Sequence, residues 1–167
     1  RTSSNTLVGA IVGAFPPLIG WIAASGGIGS GGLILAGILF IWQIPHFLAL
    51  AWVYREDYER GGFSMLPSLD RTGKLTAKAS FITSLCLIPL TLLFTITGST
   101  GLLFAGLGGL LGLWVAYRGI QFWKLRDDAS AKKLFFSTII YLPLLLMVML
   151  LDRNTIQWVE MASSPNG

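Results

Sequence analysis

Apolar residues in this chain fall into long blocks, and most polar residues are gathered into the short stretches between them. Five blocks stand out: about Thr6 to Ala24, Leu33 to Val53, Ala77 to Thr97, Gly101 to Ile120 and Leu134 to Leu151. Each is close to the roughly 20 residues a helix needs to cross the hydrocarbon core of a bilayer. Backbone groups in lipid must be satisfied within their own segment, so blocks of this length predict helices. The expected fold is all-α: a polytopic integral membrane bundle with five transmembrane helices. The uncharged stretch Ser25 to Gly32 predicts a turn that makes a hairpin of the first two spans, and Ser3, Ser4 and Asn5 offer caps for the first. Within that span Gly9 and Gly13 form a small-x3-small pattern suited to close helix contact. Pro16 and Pro17 predict a kink or interruption, whose freed carbonyls need protein or a wet cavity.

Composition agrees with the pattern. Hydrophobic residues make up 53% of the chain and charged residues 12%, with a mean hydropathy of +0.69, whereas a soluble domain is about a quarter charged. The net charge of +4 does not indicate nucleic acid, because the basic residues sit between apolar spans, where lipid headgroups or phosphates are the nearer anions. The lone Cys86 falls inside the third span, which excludes a disulfide framework and a cysteine metal site. Arg1 precedes the first span, Arg55, Arg60, Arg71, Lys74 and Lys78 follow the second, and Arg118, Lys124, Arg126, Lys132 and Lys133 follow the fourth. Of the twelve basic residues only Arg153 lies on the other side. The positive-inside rule puts the Arg1 end and both charged loops on the cytoplasmic or matrix side. The chain opens on Arg1 and enters an apolar block almost at once, which reads as part of a longer protein.

One stretch breaks the pattern. In WQIPHFLALAWVYREDYERGGFSMLP, from Trp42 to Pro67, a proline and the only histidine lie inside an apolar block, and Arg55, Glu56, Asp57, Glu59 and Arg60 crowd the turn beyond it. Ionisable groups at membrane depth are costly, so chemistry is sought here. If the second helix persists to Tyr58, helical spacing sets Tyr54, Asp57, Tyr58 and Gly61 on one face and lets Glu56 pair with Arg60 on another. Mg²⁺ favours one or two carboxylates plus substrate phosphates, and arginines suit phosphate oxygens, so this segment can hold a Mg²⁺-diphosphate at the membrane surface. A solvated loop whose charges merely stop the helix accounts for the same pattern.

His46 also has two readings. Pro45 removes the helical bond to the Ile41 carbonyl, and His46 or Gln43 can satisfy backbone opened by that kink. Alternatively His46 is a ligand or proton-transfer group facing a cavity that Trp42 and Gln43 also border. On a straight helix His46 and Asp57 lie about 16 Å apart, so a shared substrate must extend inward, or the chain after Val53 must fold back. Gly61 to Lys78 reads as a lid or a plain connector, with Met65, Leu66 and Pro67 beside charge. Gln121 to Lys133 reads as a surface turn without chemistry, its adjacent Asp127 and Asp128 diverging on a helix.

WQIPHF followed by REDYERGGFSMLP, with RTSSNT and GAFPPLIGW upstream, closely resembles the protohaem IX farnesyltransferases, or haem O synthases, of the intramembrane UbiA prenyltransferase superfamily. The likeness runs through Asp152 and leaves 153–167 as a short tail. It implies a nine-helix bundle of which these spans are the last five, so that residues 1–152 are the C-terminal part of the transmembrane domain. The implied reaction transfers farnesyl from farnesyl diphosphate to a vinyl group of haem B, giving haem O, with haem A synthase as a partner enzyme. Related enzymes hold Mg²⁺ and diphosphate through two acidic motifs, one in each half. Only the second motif is present, which implies that this portion alone is inactive.

Carried onto this chain, the resemblance implies Asp57 and Glu56 as metal ligands, and Asp57, Tyr58 and Arg55 as catalytic residues. It implies Arg1, Arg55 and Arg60 for the diphosphate, and His46, Trp42 and Gln43 for haem. Where other superfamily members have aspartates four residues apart, this chain has Tyr54 and Tyr58, which leaves the number of Mg²⁺ ions open. On the residues alone, a transporter with a broken first helix and a haem-holding assembly protein fit equally. The short tail favours a bacterial plasma membrane over a mitochondrial inner membrane.

Overall fold

The computed structural model describes residues 5–62 and 66–153. Five long helices carry the chain: α1 (Asn5–Ser25), α2 (Ser30–Val53), α5 (Lys74–Ile96), α6 (Leu102–Leu125) and α7 (Asp128–Leu151). Two short ones, α3 (Arg55–Arg60) and α4 (Leu66–Leu69), lie between α2 and α5. By length and composition α2, α5, α6 and α7 can each cross a membrane, and Val12–Ser25 of α1 adds a shorter apolar stretch. Four helices close a ring: α2 packs on α5 and α7, and α6 on the same two, while α1 lies against α2. Short connections make successive long helices antiparallel, so the end of α2, the start of α5, the end of α6 and the start of α7 meet at one end of the bundle. Both charged stretches therefore share an end, as the charge pattern predicts.

The ring closes on a core that includes Leu87, Phe94, Phe104, Val115 and Tyr141, all buried. Along the buried face of α5, Ser80, Ser84 and Thr91 donate their hydroxyls to the carbonyls four residues earlier, at 2.9, 2.7 and 2.8 Å. Their polar atoms are thus satisfied with little bulk, and α6 comes close: a Cβ on Gly119 would stand 3.1 Å from the Phe81 backbone.

Three expectations about the elements are adjusted. Of the kink or interruption expected at Pro16 and Pro17, the interruption does not occur: α1 is helical through both. α2 begins at Ser30 rather than Leu33, because Gly31 and Gly32 are packing residues: a Cβ on Gly31 would lie 2.3 Å from the indole of Trp21. The stretch Gln121 to Lys133 is helix rather than loop except at Arg126 and Asp127, and Asp127 Oδ1 caps α7 by accepting from Ser130 N at 2.8 Å. Arg1, Ser3, Ser4, Met65 and the tail from Asn154 lie outside the described residues.

Carboxylates fasten both ends of the bundle. Asp152, after α7, accepts from Phe104 N at 2.6 Å and so caps α6. Asp70 accepts from Thr76 N at 2.8 Å and from the Thr72 hydroxyl at 3.0 Å, which caps α5 beside the charged end. Partial desolvation pulls the Asp70 pKa up, but the bonds from Thr76 and Thr72 outweigh it and hold the group below its ordinary value. A depressed carboxyl contributes stability above its unfolded pKa and loses it as pH falls through the folded one. Asp70→Ala is expected to lower stability by about 1 kcal/mol at neutral pH. Thermal unfolding in acid should show the gap between variant and wild type closing.

Candidate functional site

Tyr54, at φ −103° and ψ 21°, separates α2 from α3. Helical bonding still bridges the joint, Tyr54 N donating to the Leu50 carbonyl at 3.1 Å and Tyr58 N to that of Tyr54 at 3.0 Å. Arg60 pairs with Asp57, Nη2 to Oδ1 at 2.5 Å, and not with the Glu56 carboxylate. The (i, i+3) spacing serves the pair, and Arg60 meets Glu56 only at its main-chain oxygen, 3.4 Å from Nε. Glu56 instead joins Arg55, Glu59, Pro67 and Arg71 around an open groove of about 240 Å³. The structure thus divides the expected ligand pair, with Glu56 on the groove beside Glu59 while Asp57 pairs with Arg60 in solvent. Neither Glu59 nor Arg71 was singled out as a site residue in the sequence.

Arg55 is the most firmly held residue of this cluster. Its Nη1 donates to the Trp52 carbonyl at 2.8 Å and meets Asp128 Oδ1 at 2.6 Å, and the guanidinium carbon sits 4.6 Å from the Trp52 ring centre. Asp128, at the first turn of α7, is thereby tied to the end of α2, a link between residues 73 apart in sequence. Tyr58 is half-buried and Tyr54 more exposed. Over this end α4 packs on α2 and α3, with Pro67 buried.

Deeper in the bundle, His46 faces α7. Its Nδ1 is 2.9 Å from Thr138 Oγ1, and the ring stacks with Trp42 at 5.0 Å and Phe135 at 4.7 Å between centres. Trp42 Nε1 donates to the Thr138 carbonyl at 2.8 Å. Gln43 turns elsewhere. It donates to the Leu39 carbonyl at 3.0 Å and lies where a Cβ on Gly13 of α1 would meet it at 2.2 Å. One residue is about 100° of helix rotation, which carries Gln43 from the α7 side towards α1. The structure therefore unites His46 with Trp42 and leaves Gln43 on another wall. Thr138 and Phe135 went unnoticed in the sequence, where the only signal is the Ser137-Thr138 pair inside an apolar span.

Among the described residues no three His, Cys, Asp or Glu side chains converge as a self-sufficient metal site. Mg²⁺ does not need one, since it takes one or two carboxylates and completes its shell with substrate phosphates and water. Glu56 and Glu59 on the groove, Asp57 nearby, and the cations Arg55 and Arg71 make a donor set that suits a Mg²⁺-bound diphosphate.

Apolar spanning helices with a charged groove at one end and an aromatic-flanked histidine within define a multi-pass membrane protein. Residues 1–145 match the UbiA prenyltransferase family, and the chain belongs to that family. It is 43% identical over 153 residues to the protoheme IX farnesyltransferase of Solibacter usitatus, covering 92% of this chain and 52% of that protein. Against the mitochondrial protoheme IX farnesyltransferase of Arabidopsis thaliana identity is 40% over 166 residues, covering 97% and 38%. Against the human mitochondrial protein it is 40% over 147 residues, covering 88% and 33%. The chain spans about half the length of the bacterial relatives it matches. No solved structure matches it.

Proposed function

We propose that this chain is the C-terminal, five-helix part of a protohaem IX farnesyltransferase, which transfers farnesyl from farnesyl diphosphate to a vinyl group of haem B and yields haem O. The observation that carries this reading is the 43% identity, over 92% of the chain, to a protein of that name. The two polar clusters support it, because they offer separate places for the two substrates.

At the charged end, Arg55, set by Asp128 and Trp52, and Arg71 take diphosphate oxygens at the groove. Arg60 turns to the same anion when Asp57 takes a metal. Arg1, which lies outside the described residues, adds a further cation by family resemblance. Asp57 and Glu56 would each offer a carboxylate to Mg²⁺, with Glu59 beside Glu56 on the groove, and the ion when bound would supply charge neutralisation to the leaving diphosphate. Tyr58 donates a hydrogen bond to the departing oxygens, so that charge developing there meets positioned donors. His46, braced by Trp42, orients the porphyrin, and Gln43 shapes the wall towards α1.

The allylic C–O bond breaks and its electron pair leaves with the diphosphate. The vinyl π electrons form the new bond to the farnesyl carbon. Water then adds to the resulting cation and releases a proton, so the bundle must keep water away until that step. The charged end lies on the cytoplasmic or matrix side, and haem A synthase consumes the product. In liposomes the full-length protein is expected to release diphosphate from farnesyl diphosphate only when haem B and Mg²⁺ are both supplied. Release that ignores haem B would contradict the reading.

A further inference from the structure

Thr138 presents two oxygens to the two polar rings of α2: its carbonyl to Trp42 Nε1 at 2.8 Å and its hydroxyl to His46 Nδ1 at 2.9 Å. That hydroxyl has one proton to give. Oγ1 also lies 2.6 Å from the Phe135 carbonyl, a group that can only accept, so the proton belongs to that contact. Were it turned to His46, two oxygens would oppose their lone pairs at this distance, in a side chain with no exposure. Oγ1 is therefore left to accept, and His46 Nδ1 must be the donor. A neutral imidazole with its proton on Nδ1 carries its lone pair on Nε2.

The surroundings hold this arrangement. Trp42 and Phe135 stack on the imidazole at interplanar angles of 21° and 27°, and Phe47 meets it edge-on at 5.3 Å. Thr138 is in turn pinned through its carbonyl by Trp42. Turning the ring by 180° would keep the stacking but set a carbon, Cδ2, against Thr138 Oγ1, so the bond to Thr138 decides which edge of the ring faces α7. A histidine that binds a metal through one nitrogen commonly donates the other N–H to a fixed acceptor, which sets its tautomer and orientation. Thr138 is placed as such an acceptor.

We propose that Thr138 is a positioning residue that fixes His46 as the Nδ1–H tautomer and presents Nε2 as the atom that engages porphyrin-bound iron. The ligand named here rests on the haem-facing reading of His46; the tautomer does not.

The test is solid-state nitrogen NMR of the full-length protein, isotope-labelled at histidine, in lipid bilayers above the pH at which the ring takes a second proton. His46 is assigned by the loss of its signals in His46→Gln. A protonated Nδ1 and a bare Nε2 are expected in wild type and in Thr138→Ser, which keeps the hydroxyl. In Thr138→Val, the same shape without an acceptor, the proton should move wholly or partly to Nε2. A wild-type ring protonated on Nε2, or no change in Thr138→Val, would overturn the proposal. Titration with ferric haem B, followed by its Soret band, reads the ligand separately. Thr138→Val should bind about 10–100-fold more weakly, while Thr138→Ser stays near wild type. A tautomer that shifts as expected with no change in haem affinity would leave the role of Thr138 standing and discard the haem-facing reading of His46.

Discussion

Asp57→Ala in the full-length protein is expected to lower the rate of prenyl transfer by about 10²–10³-fold while leaving the fold intact. The reason for both halves of this result lies in the exposed setting of the carboxylate. Asp57 and Arg60 pair across one turn of a short surface helix, with side chains 62% and 76% exposed, and a pair of this kind contributes about 0–1 kcal/mol. Removing it cannot unfold a bundle whose core lies between α2, α5, α6 and α7. On the proposed reading its loss takes away a metal-binding oxygen, and it leaves Arg60 as a cation without the carboxylate that balances it. Diphosphate affinity should therefore fall less than the rate. Glu59→Ala, on the groove, should fall between wild type and Asp57→Ala. Steady-state rates beside thermal unfolding separate these effects. A rate that survives Asp57→Ala would remove the metal role assigned to it.

Gly73→Ala is expected to have the largest effect on stability. Gly73 sits at φ +67°, just before α5, where an alanine costs about 1–2 kcal/mol. A Cβ there would also lie 2.4 Å from the Trp52 ring, and overpacking adds about 1–3 kcal/mol. Trp52 is buried against Phe122 at 5.9 Å and cannot retreat. Because Trp52 also carries Arg55 through its ring and its carbonyl, the displacement should reach the groove. A fall in thermal midpoint together with weakened diphosphate binding is the expected outcome. Gly106→Ala, where the added carbon meets nothing within 4 Å, is the control and should lose neither. If the two variants unfold alike, the packing of Trp52 on Gly73 does not matter to the fold.

The spans were legible because membrane-crossing helices are set by length and apolarity, and both are local. Ends were harder to read. Gly31 and Gly32 resemble turn residues in any window, and only Trp21, folding back from α1, shows that they belong inside a helix. Lys124, Asp128 and Lys132 look like loop charges, yet they lie in the last turn of α6 and the first turns of α7, where a helix that leaves lipid carries such residues.

Within the candidate site, the WQIPHF and REDYERGG segments are local in sequence, but their partners do not follow from spacing. Helical offset allowed Glu56 to meet Arg60 and Gln43 to share a pocket with His46. Glu56 instead lines the groove with Pro67 and Arg71, and Gln43 turns towards Gly13 of α1. The Arg55–Asp128 and His46–Thr138 contacts join residues 73 and 92 positions apart, and no local pattern encodes such a pairing.

The measurement that bears most directly on the whole account is the mass of the porphyrin recovered after the full-length protein, in liposomes, is incubated with haem B, farnesyl diphosphate and Mg²⁺. The account predicts a product heavier than haem B by one farnesyl group and one hydroxyl, formed by wild type and about 10²–10³-fold more slowly by Asp57→Ala. Haem B recovered unchanged from a folded protein that binds it would contradict prenyl transfer and leave a haem-holding role in its place.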